Sequence, residues 1–232
     1  MSKVAIETFA SAEEAAAAAA EAIADQLRGP EGKSLIVTGG RGPGPVYDRL
    51  AKVDLDWASV IVTLSDDRFV PLGAPESNEA MVRARLLQHK AAAARFVPLN
   101  GAEKTPAAAA AAIEPAIRAL LPFDATLLGM GPDGHIASLY ASSVGVAAAL
   151  DPEAERIAVG VQSPGWEPYV PRISLTGRAL FDAALVVLLV GREQKRRVIE
   201  QVLADDAFAP PVSALIRQTK APVRVLWSPE TA

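Results

Sequence analysis

Short apolar runs alternate with longer segments of helical character along nearly the whole chain. Apolar runs of about four to eight residues bounded by turn residues predict buried strands. Such runs lie at 34–38, 58–65, 95–98, 125–128, 156–161, 172–176, 184–190 and 223–227. The run at 184–190 contains no polar residue, which is typical of a strand buried on both faces of a parallel sheet.

Helices are predicted between these strands, and their first residues carry the strongest signals. Ser11 and Glu14 fit a capping box before a helix that ends near Leu27. Thr105 followed by Pro106 fits an N-cap and first helical position. Further helices are predicted from residue 45, from 79 to about 88, from 191 to about 203 and from 213 to 218. Alternation of this kind predicts a single α/β domain over residues 1–232, with three α/β/α layers and a mostly parallel, Rossmann-like sheet.

Composition narrows the classes of function. The 232 residues carry a formal net charge of −4, which argues against a broad nucleic-acid surface. There is no cysteine, so disulfides and thiolate chemistry are excluded. The N-terminal residues lack the apolar core of a signal peptide, and no apolar run reaches membrane-spanning length. We therefore expect a cytoplasmic protein with no membrane or nucleic-acid partner.

The richest stretch for chemistry follows the strand at 125–128. It reads Gly-Met-Gly-Pro-Asp-Gly-His over 129–135, and residues 136–139 are predicted to begin a helix. A glycine loop outside the carboxyl end of a parallel strand is where open α/β sheets bind ligands, and a helix start there can receive an anion. Histidine is the side chain best suited to proton transfer near neutral pH, so His135 can act as a general base, with Asp133 orienting or stabilising it. Gly131 permits close approach of the backbone.

Two more strand ends carry candidate site residues. Gly39 and Gly40 follow the strand at 34–38 and can cradle an anion through backbone N–H groups, with Arg41 adding a planar set of donors. Asp66 and Arg68 follow the strand at 58–65, where charges at a strand's carboxyl end suit the edge of a site. Asp67, between them, is equally consistent with a structural role at that strand end.

The stretch at 129–139 resembles the signature loop of the 6-phosphogluconolactonases, whose relatives are the glucosamine-6-phosphate isomerases/deaminases. The resemblance extends over nearly the whole chain. It implies a fold like that of ribose-phosphate isomerases and deaminases, and it adds Arg172 and Lys195 as phosphate-binding residues. Arg68 favours the lactonases, because the deaminases carry an aromatic residue there. The chain departs from the family pattern at Arg41 and Gly42, where the family usually has hydroxyl residues. It also has Asp67 where the family usually has Glu, has Phe181 where Asn is expected, and lacks a Lys after Pro164.

The resemblance implies hydrolysis of 6-phospho-D-glucono-1,5-lactone in the oxidative pentose phosphate pathway, without metal or other cofactor. His135 would activate water, Asp133 or Asp66 would support it, and glycine-loop N–H groups would receive the oxyanion. The partner would be a phosphorylated sugar lactone bound by a monomer or homodimer. Two alternatives stay open: an isomerase/deaminase, and a non-catalytic regulator that binds sugar phosphates.

Overall fold

The computed structural model describes residues 4–29, 32–71, 73–162, 170–218 and 220–229. Its central sheet has seven strands, and every pair of neighbours is parallel. In chain order these strands are β1 (Val4–Thr8), β2 (Lys33–Val37), β3 (Val60–Leu64), β5 (Arg95–Val97), β6 (Phe123–Gly129), β9 (Ala183–Gly191) and β10 (Val223–Ser228). Their order across the sheet is β1-β10-β9-β6-β2-β3-β5.

A second sheet, of three strands, is formed by segments that connect strands of the large sheet. It consists of β4 (Asp66–Arg68), β7 (Ala158–Val161) and β8 (Arg172–Leu175), paired antiparallel in the order β4-β8-β7. The sequence did not predict β4, because three charged residues lack the apolar alternation of a strand. It also did not predict β1, which pairs with β10 along an edge of the large sheet.

Helices flank the large sheet. They are α1 (Ala12–Leu27), α2 (Gly44–Leu50), α3 (Asn78–Arg85), α4 (Pro106–Arg118), α5 (Val146–Leu150), α6 (Gly177–Leu180), α7 (Glu193–Ala204) and α8 (Val212–Gln218), with short 3-10 turns at Trp57–Ser59 and His89–Ala93. The predicted caps are present: Ser11 Oγ accepts from Glu14 N–H, and Thr105 Oγ1 accepts from Ala108 N–H. The expected α/β class with a mostly parallel sheet is confirmed.

The predicted helix at 136–139 is wrong. Ile136 instead forms isolated antiparallel bridges with Met130 and Leu139, and Ala137 has a φ of 48°. Ile136 and Leu139 are both buried, so the chain folds back to insert these side chains into the core. A left-handed Ala137 is incompatible with a right-handed helical turn, and helix α5 begins only at Val146.

The strand order places a crevice between β2 and β6. From β2 the chain crosses to β3 on one side, whereas from β6 it crosses to β9 on the other. Open α/β sheets bind their ligands at such a switch point, outside the carboxyl ends of the strands. The loops after β2 and β6 are the two glycine-rich stretches of the sequence. No helix within the described ranges is both long and apolar enough to cross a bilayer.

Candidate active site

A cavity of about 500 Å³ opens at this crevice. Its wall combines the loops after β2, β6 and β9 with side chains of the small sheet. The predicted site residues that line it are Gly39, Gly40, Arg41, Asp66, Arg68, Gly131, His135, Arg172 and Lys195. Asp133 does not line the cavity but contacts His135. Residues distant in the sequence thus meet at one place.

His135 is held from one side by Asp133. Asp133 Oδ1 lies 2.5 Å from His135 Nδ1 and also accepts from the His135 backbone N–H at 3.3 Å. A carboxylate on Nδ1 favours the tautomer with its proton there, which leaves the lone pair on Nε2 for proton transfer. The imidazole is mostly buried, with 19% of its side chain exposed, whereas 44% of the Asp133 side chain is exposed. The arrangement suits a general base with an orienting carboxylate.

Gly131 gives His135 the space that it occupies. A Cβ at residue 131 would lie 2.1 Å from His135 Cε1 and 2.2 Å from Nδ1, far inside van der Waals contact. Gly134 is required differently: its φ is 80°, and a Cβ there would lie 2.7 Å from Pro210 Cβ. Gly131 is therefore needed for packing against the histidine, whereas Gly134 is needed for its positive φ and for its close contact with Pro210.

Three of the N–H groups expected to serve an oxyanion are bonded within the loop itself. Gly131 N–H donates to His135 O at 2.9 Å, and Gly134 N–H donates to Gly131 O at 3.1 Å. The N–H of His135 points to Asp133, and Pro132 has no N–H. These donors close the turn on itself, so the glycine loop of 129–135 does not present them to a ligand. The predicted helix N-terminus at residue 136 is absent as well.

Asp66 is a buried hub between the loop and the small sheet. Its Oδ1 accepts from Ser65 Oγ at 2.8 Å, and its Oδ2 accepts from Ser138 Oγ at 2.6 Å. Arg172 Nη1 lies 3.9 Å from the same Oδ2. The carboxylate therefore ties the segment after His135 to β8, while Asp133 is the acid that engages the imidazole.

Tyr140 was not predicted and forms part of the histidine's packing. Its ring centroid lies 4.4 Å from that of His135, at an interplanar angle of 48°. Tyr140 is almost fully buried and lines the cavity. Burial, above all, raises the pKa of its phenol, so it remains protonated at neutral pH. The sequence signal was an aromatic residue five positions after the histidine, without the spacing of any known motif.

Two arginines face each other across β4 and β8. Arg68 and Arg172 are direct register partners in this antiparallel pair. Like charges directly opposite are unfavourable unless something negative lies between them. Arg172 Nε is buried and has no hydrogen-bond partner within the described residues. Both side chains line the cavity, which makes the pair a ready anion site.

Asn78 holds Arg68 in place and was not among the predicted site residues. Its Oδ1 accepts from Arg68 Nη1 at 3.1 Å, and its Nδ2 donates to the Asp66 carbonyl at 2.8 Å. Gly39 packs directly on this amide, since a Cβ there would lie 2.0 Å from Asn78 Oδ1. The amide thus links the loop after β2 to the strand β4.

The loop after β2 offers backbone donors to the cavity. Across the described ranges, no acceptor is bonded to the N–H groups of residues 39–42. Gly40 has a φ of 94°, a conformation that glycine adopts without strain. Arg41 is exposed, and its guanidinium forms no ion pair with any described residue. Successive unbonded N–H groups of this kind form a concave anion site.

Lys195 reaches the histidine loop from α7. Its ammonium donates to the Met130 carbonyl, at the base of that loop. Burial, followed by the nearby charge of Arg192, lowers the pKa of Lys195, and Asp133 partly opposes this. Arg192 also lines the cavity and was not predicted. An isolated arginine beside a helix start carries no distinctive signal in one sequence.

Two positions at which the chain departs from the family pattern, Asp67 and Phe181, have structural roles. Asp67 is buried and accepts from Asn78 N–H at 2.6 Å and Ser77 Oγ at 2.8 Å, so it caps α3. Burial raises the pKa of its carboxyl. Phe181 lies in the hydrophobic core. The segment after Pro164, where the resemblance would place a Lys, lies outside the described residues up to residue 169. Among the described residues, no group of three or more His, Cys, Asp or Glu is arranged to hold a metal ion.

Comparison with known proteins places the chain in a family. The family "Glucosamine-6-phosphate isomerases/6-phosphogluconolactonase" matches residues 7–227. A 6-phosphogluconolactonase of Caulobacter vibrioides is 42% identical over 82% of this chain and 81% of its own length. One from Pseudomonas aeruginosa is 37% identical over 97% of this chain and 95% of its own. A crystal structure of a 6-phosphogluconolactonase from Shewanella baltica has a TM-score of 0.86 at 34% identity, covering 97% of both chains. The chain therefore belongs to the glucosamine-6-phosphate isomerase/6-phosphogluconolactonase family.

Proposed function

We propose that this protein hydrolyses 6-phospho-D-glucono-1,5-lactone to 6-phospho-D-gluconate. The observation that carries the proposal is the His135–Asp133 pair beside a cavity lined by Arg41, Arg68, Arg172, Arg192 and Lys195. Such a site combines a histidine base with positive charge for a phosphate. The relatives named 6-phosphogluconolactonase support the same reaction.

The proposed reaction needs one base that becomes one acid. His135 Nε2 removes a proton from water as the water oxygen attacks the lactone carbonyl carbon. The bond between that carbon and the ring oxygen then breaks, and the imidazolium returns its proton to the leaving alkoxide. Asp133 stabilises the imidazolium through Nδ1. Cationic side chains of the cavity wall stabilise the negative charge at the carbonyl oxygen, since the N–H groups of Gly131, Gly134 and His135 are bonded within their own loop.

Phosphate recognition is proposed at two walls of the cavity. Arg68 and Arg172 supply guanidinium groups from the small sheet. The unbonded N–H groups of residues 39–42 supply donors from the loop after β2. Charged hydrogen bonds of this type are strong and selective for a phosphate monoester. We further propose that the protein acts in the cytoplasm as a single-domain monomer or homodimer.

The test is an acid-release assay on freshly prepared phospholactone, corrected for spontaneous hydrolysis. We expect the protein to accelerate acid release. The His135→Asn variant should be slower by roughly 10²–10⁴-fold, with an unchanged midpoint of thermal unfolding. A His135→Asn protein with near wild-type turnover contradicts the proposed base.

A parallel assay with glucosamine 6-phosphate, following ammonia release, separates the alternative within the same family. Ammonia release without lactone hydrolysis contradicts the proposed function. Binding of sugar phosphates with neither activity favours a regulator.

A further inference from the structure

Arg192 has a backbone conformation that is unfavourable for arginine. Its φ is 65° and its ψ is 143°, and it is one of three non-glycine residues with positive φ among those described. Side chains with a Cβ are strained there, whereas glycine is not. A glycine would adopt this backbone without strain, so the arginine is present at a cost in folding stability.

Contacts from two elements hold Arg192 in this conformation. Its N–H donates to the Ser228 carbonyl at 3.2 Å, at the end of β10. Its own carbonyl accepts from Lys195 N–H at 3.2 Å and from Trp227 Nε1 at 3.4 Å. Strained residues persist where surrounding structure determines them in this way, and they cluster at functional sites.

The charge of Arg192 has no counter-ion among the described residues. Its neighbours on α7 do: Arg196 Nε lies 2.7 Å from Glu200, and Arg197 Nε lies 3.5 Å from Glu193. Arg192 forms no ion pair with a carboxylate of the described residues, and it lines the cavity beside Lys195. The two cations are close enough for Arg192 to lower the pKa of Lys195, although burial contributes more. Two neighbouring cations on one wall favour an anion between them.

We propose that Arg192 is a further substrate-binding residue, which contacts the phosphate group together with Lys195. This inference rests on the proposed function. It adds a third group of phosphate contacts, from the loop after β9, which is the neighbour of β6 on the side away from β2. Arg192 is exposed, so we expect its contact to form as the substrate enters from the mouth of the cavity.

The test compares three variants. Arg192→Gly removes the guanidinium and relieves the backbone, so its thermal midpoint should equal or exceed that of the wild type. Arg192→Lys keeps a positive charge. Arg197→Ala is the matched control, because this exposed arginine lies on the same helix and outside the cavity wall.

We expect Arg192→Gly to raise KM for the phosphorylated lactone roughly tenfold, the lower end for a charged hydrogen bond. Its affinity for inorganic phosphate, measured by titration calorimetry, should fall by a similar factor. Arg192→Lys should recover part of both losses, and Arg197→Ala should show neither. The loss should be confined to phosphorylated substrate.

Unchanged KM and phosphate affinity in Arg192→Gly would overturn the inference. An equal loss on unphosphorylated gluconolactone would also overturn it, because Arg192 would then act elsewhere than on the phosphate. The proposed function can fail separately: a wild-type protein without lactonase activity refutes that function, while the phosphate titration still tests Arg192.

Discussion

Substituting Gly131 by alanine should disable the histidine without removing any side chain of the proposed site. The backbone at residue 131 has no positive φ, so alanine is not strained there. The added methyl would instead lie 2.1 Å from His135 Cε1 and 2.7 Å from Asp133 Oδ1. The steric conflict therefore involves both side chains of the proposed catalytic pair, His135 and Asp133.

The size of the conflict sets the expected effect. Carbon atoms in contact lie about 3.5–4.0 Å apart, so the imidazole has to move by more than an ångström or rotate away. A misplacement of about 1 Å can cost on the order of 10²-fold in rate. We expect kcat to fall by about that factor, with little change in KM, because the arginines of β4 and β8 are untouched.

The assay is steady-state acid release, with thermal unfolding to confirm that the variant is folded. Gly32→Ala is the matched control: its Cβ would meet only the Ser59 carbonyl, at 3.8 Å, outside the site. In a His135→Asn background, Gly131→Ala should cause little further loss, since both changes disable one group. A folded Gly131→Ala enzyme with kcat within about threefold of wild type refutes this reasoning.

Two further predictions concern charge and stability. Arg41→Ala should raise KM for the phosphorylated lactone roughly ten- to a hundredfold if Arg41 compensates for the hydroxyl residues missing from its loop; steady-state kinetics showing an unchanged KM would exclude that compensation. Thr126→Val should stabilise the protein by about 1 kcal/mol, because the buried Thr126 hydroxyl has no hydrogen-bond partner among the described residues. Thr63→Val is its control in thermal unfolding and should destabilise, since Thr63 Oγ1 donates to the Val97 carbonyl at 2.8 Å.

The sequence predicted the large sheet well because its central strands are locally distinctive. The uninterrupted apolar run of β9 and the caps of α1 and α4 depend on residues close together in the chain. β1 was missed because it is stabilised by pairing with β10, more than two hundred residues away. The error at 136–139 has a similar cause: burial of Ile136 and Leu139, not local propensity, determines that turn.

The site could be predicted in composition but not in its contacts. Glycine, histidine and charged residues after strand ends predicted a meeting point at the carboxyl edge of the sheet, and the structure places them around one cavity there. Which acid engages His135, and which N–H groups are already bonded, depends on side-chain positions that spacing does not determine. Asn78 illustrates the limit, because its role depends on contacts with Gly39, Arg68 and the Asp66 carbonyl, all of which come from other elements.

The small antiparallel sheet explains how the site tolerates its charge. Register places Arg68 against Arg172, and the buried Asp66 lies 3.9 Å from one of them, so a single carboxylate offsets part of the repulsion. Strand pairing fixes the backbone register of both arginines, and Asn78 orients the Arg68 guanidinium before any ligand arrives. In the proposed phosphate site, the ligand would therefore not have to order Arg68 on binding, and more of the contact energy would remain as affinity. Arg172 Nε is buried without a hydrogen-bond partner among the described residues, and this lost hydrogen bond is the cost of placing a guanidinium on a strand whose neighbouring residue Ile173 packs in the core.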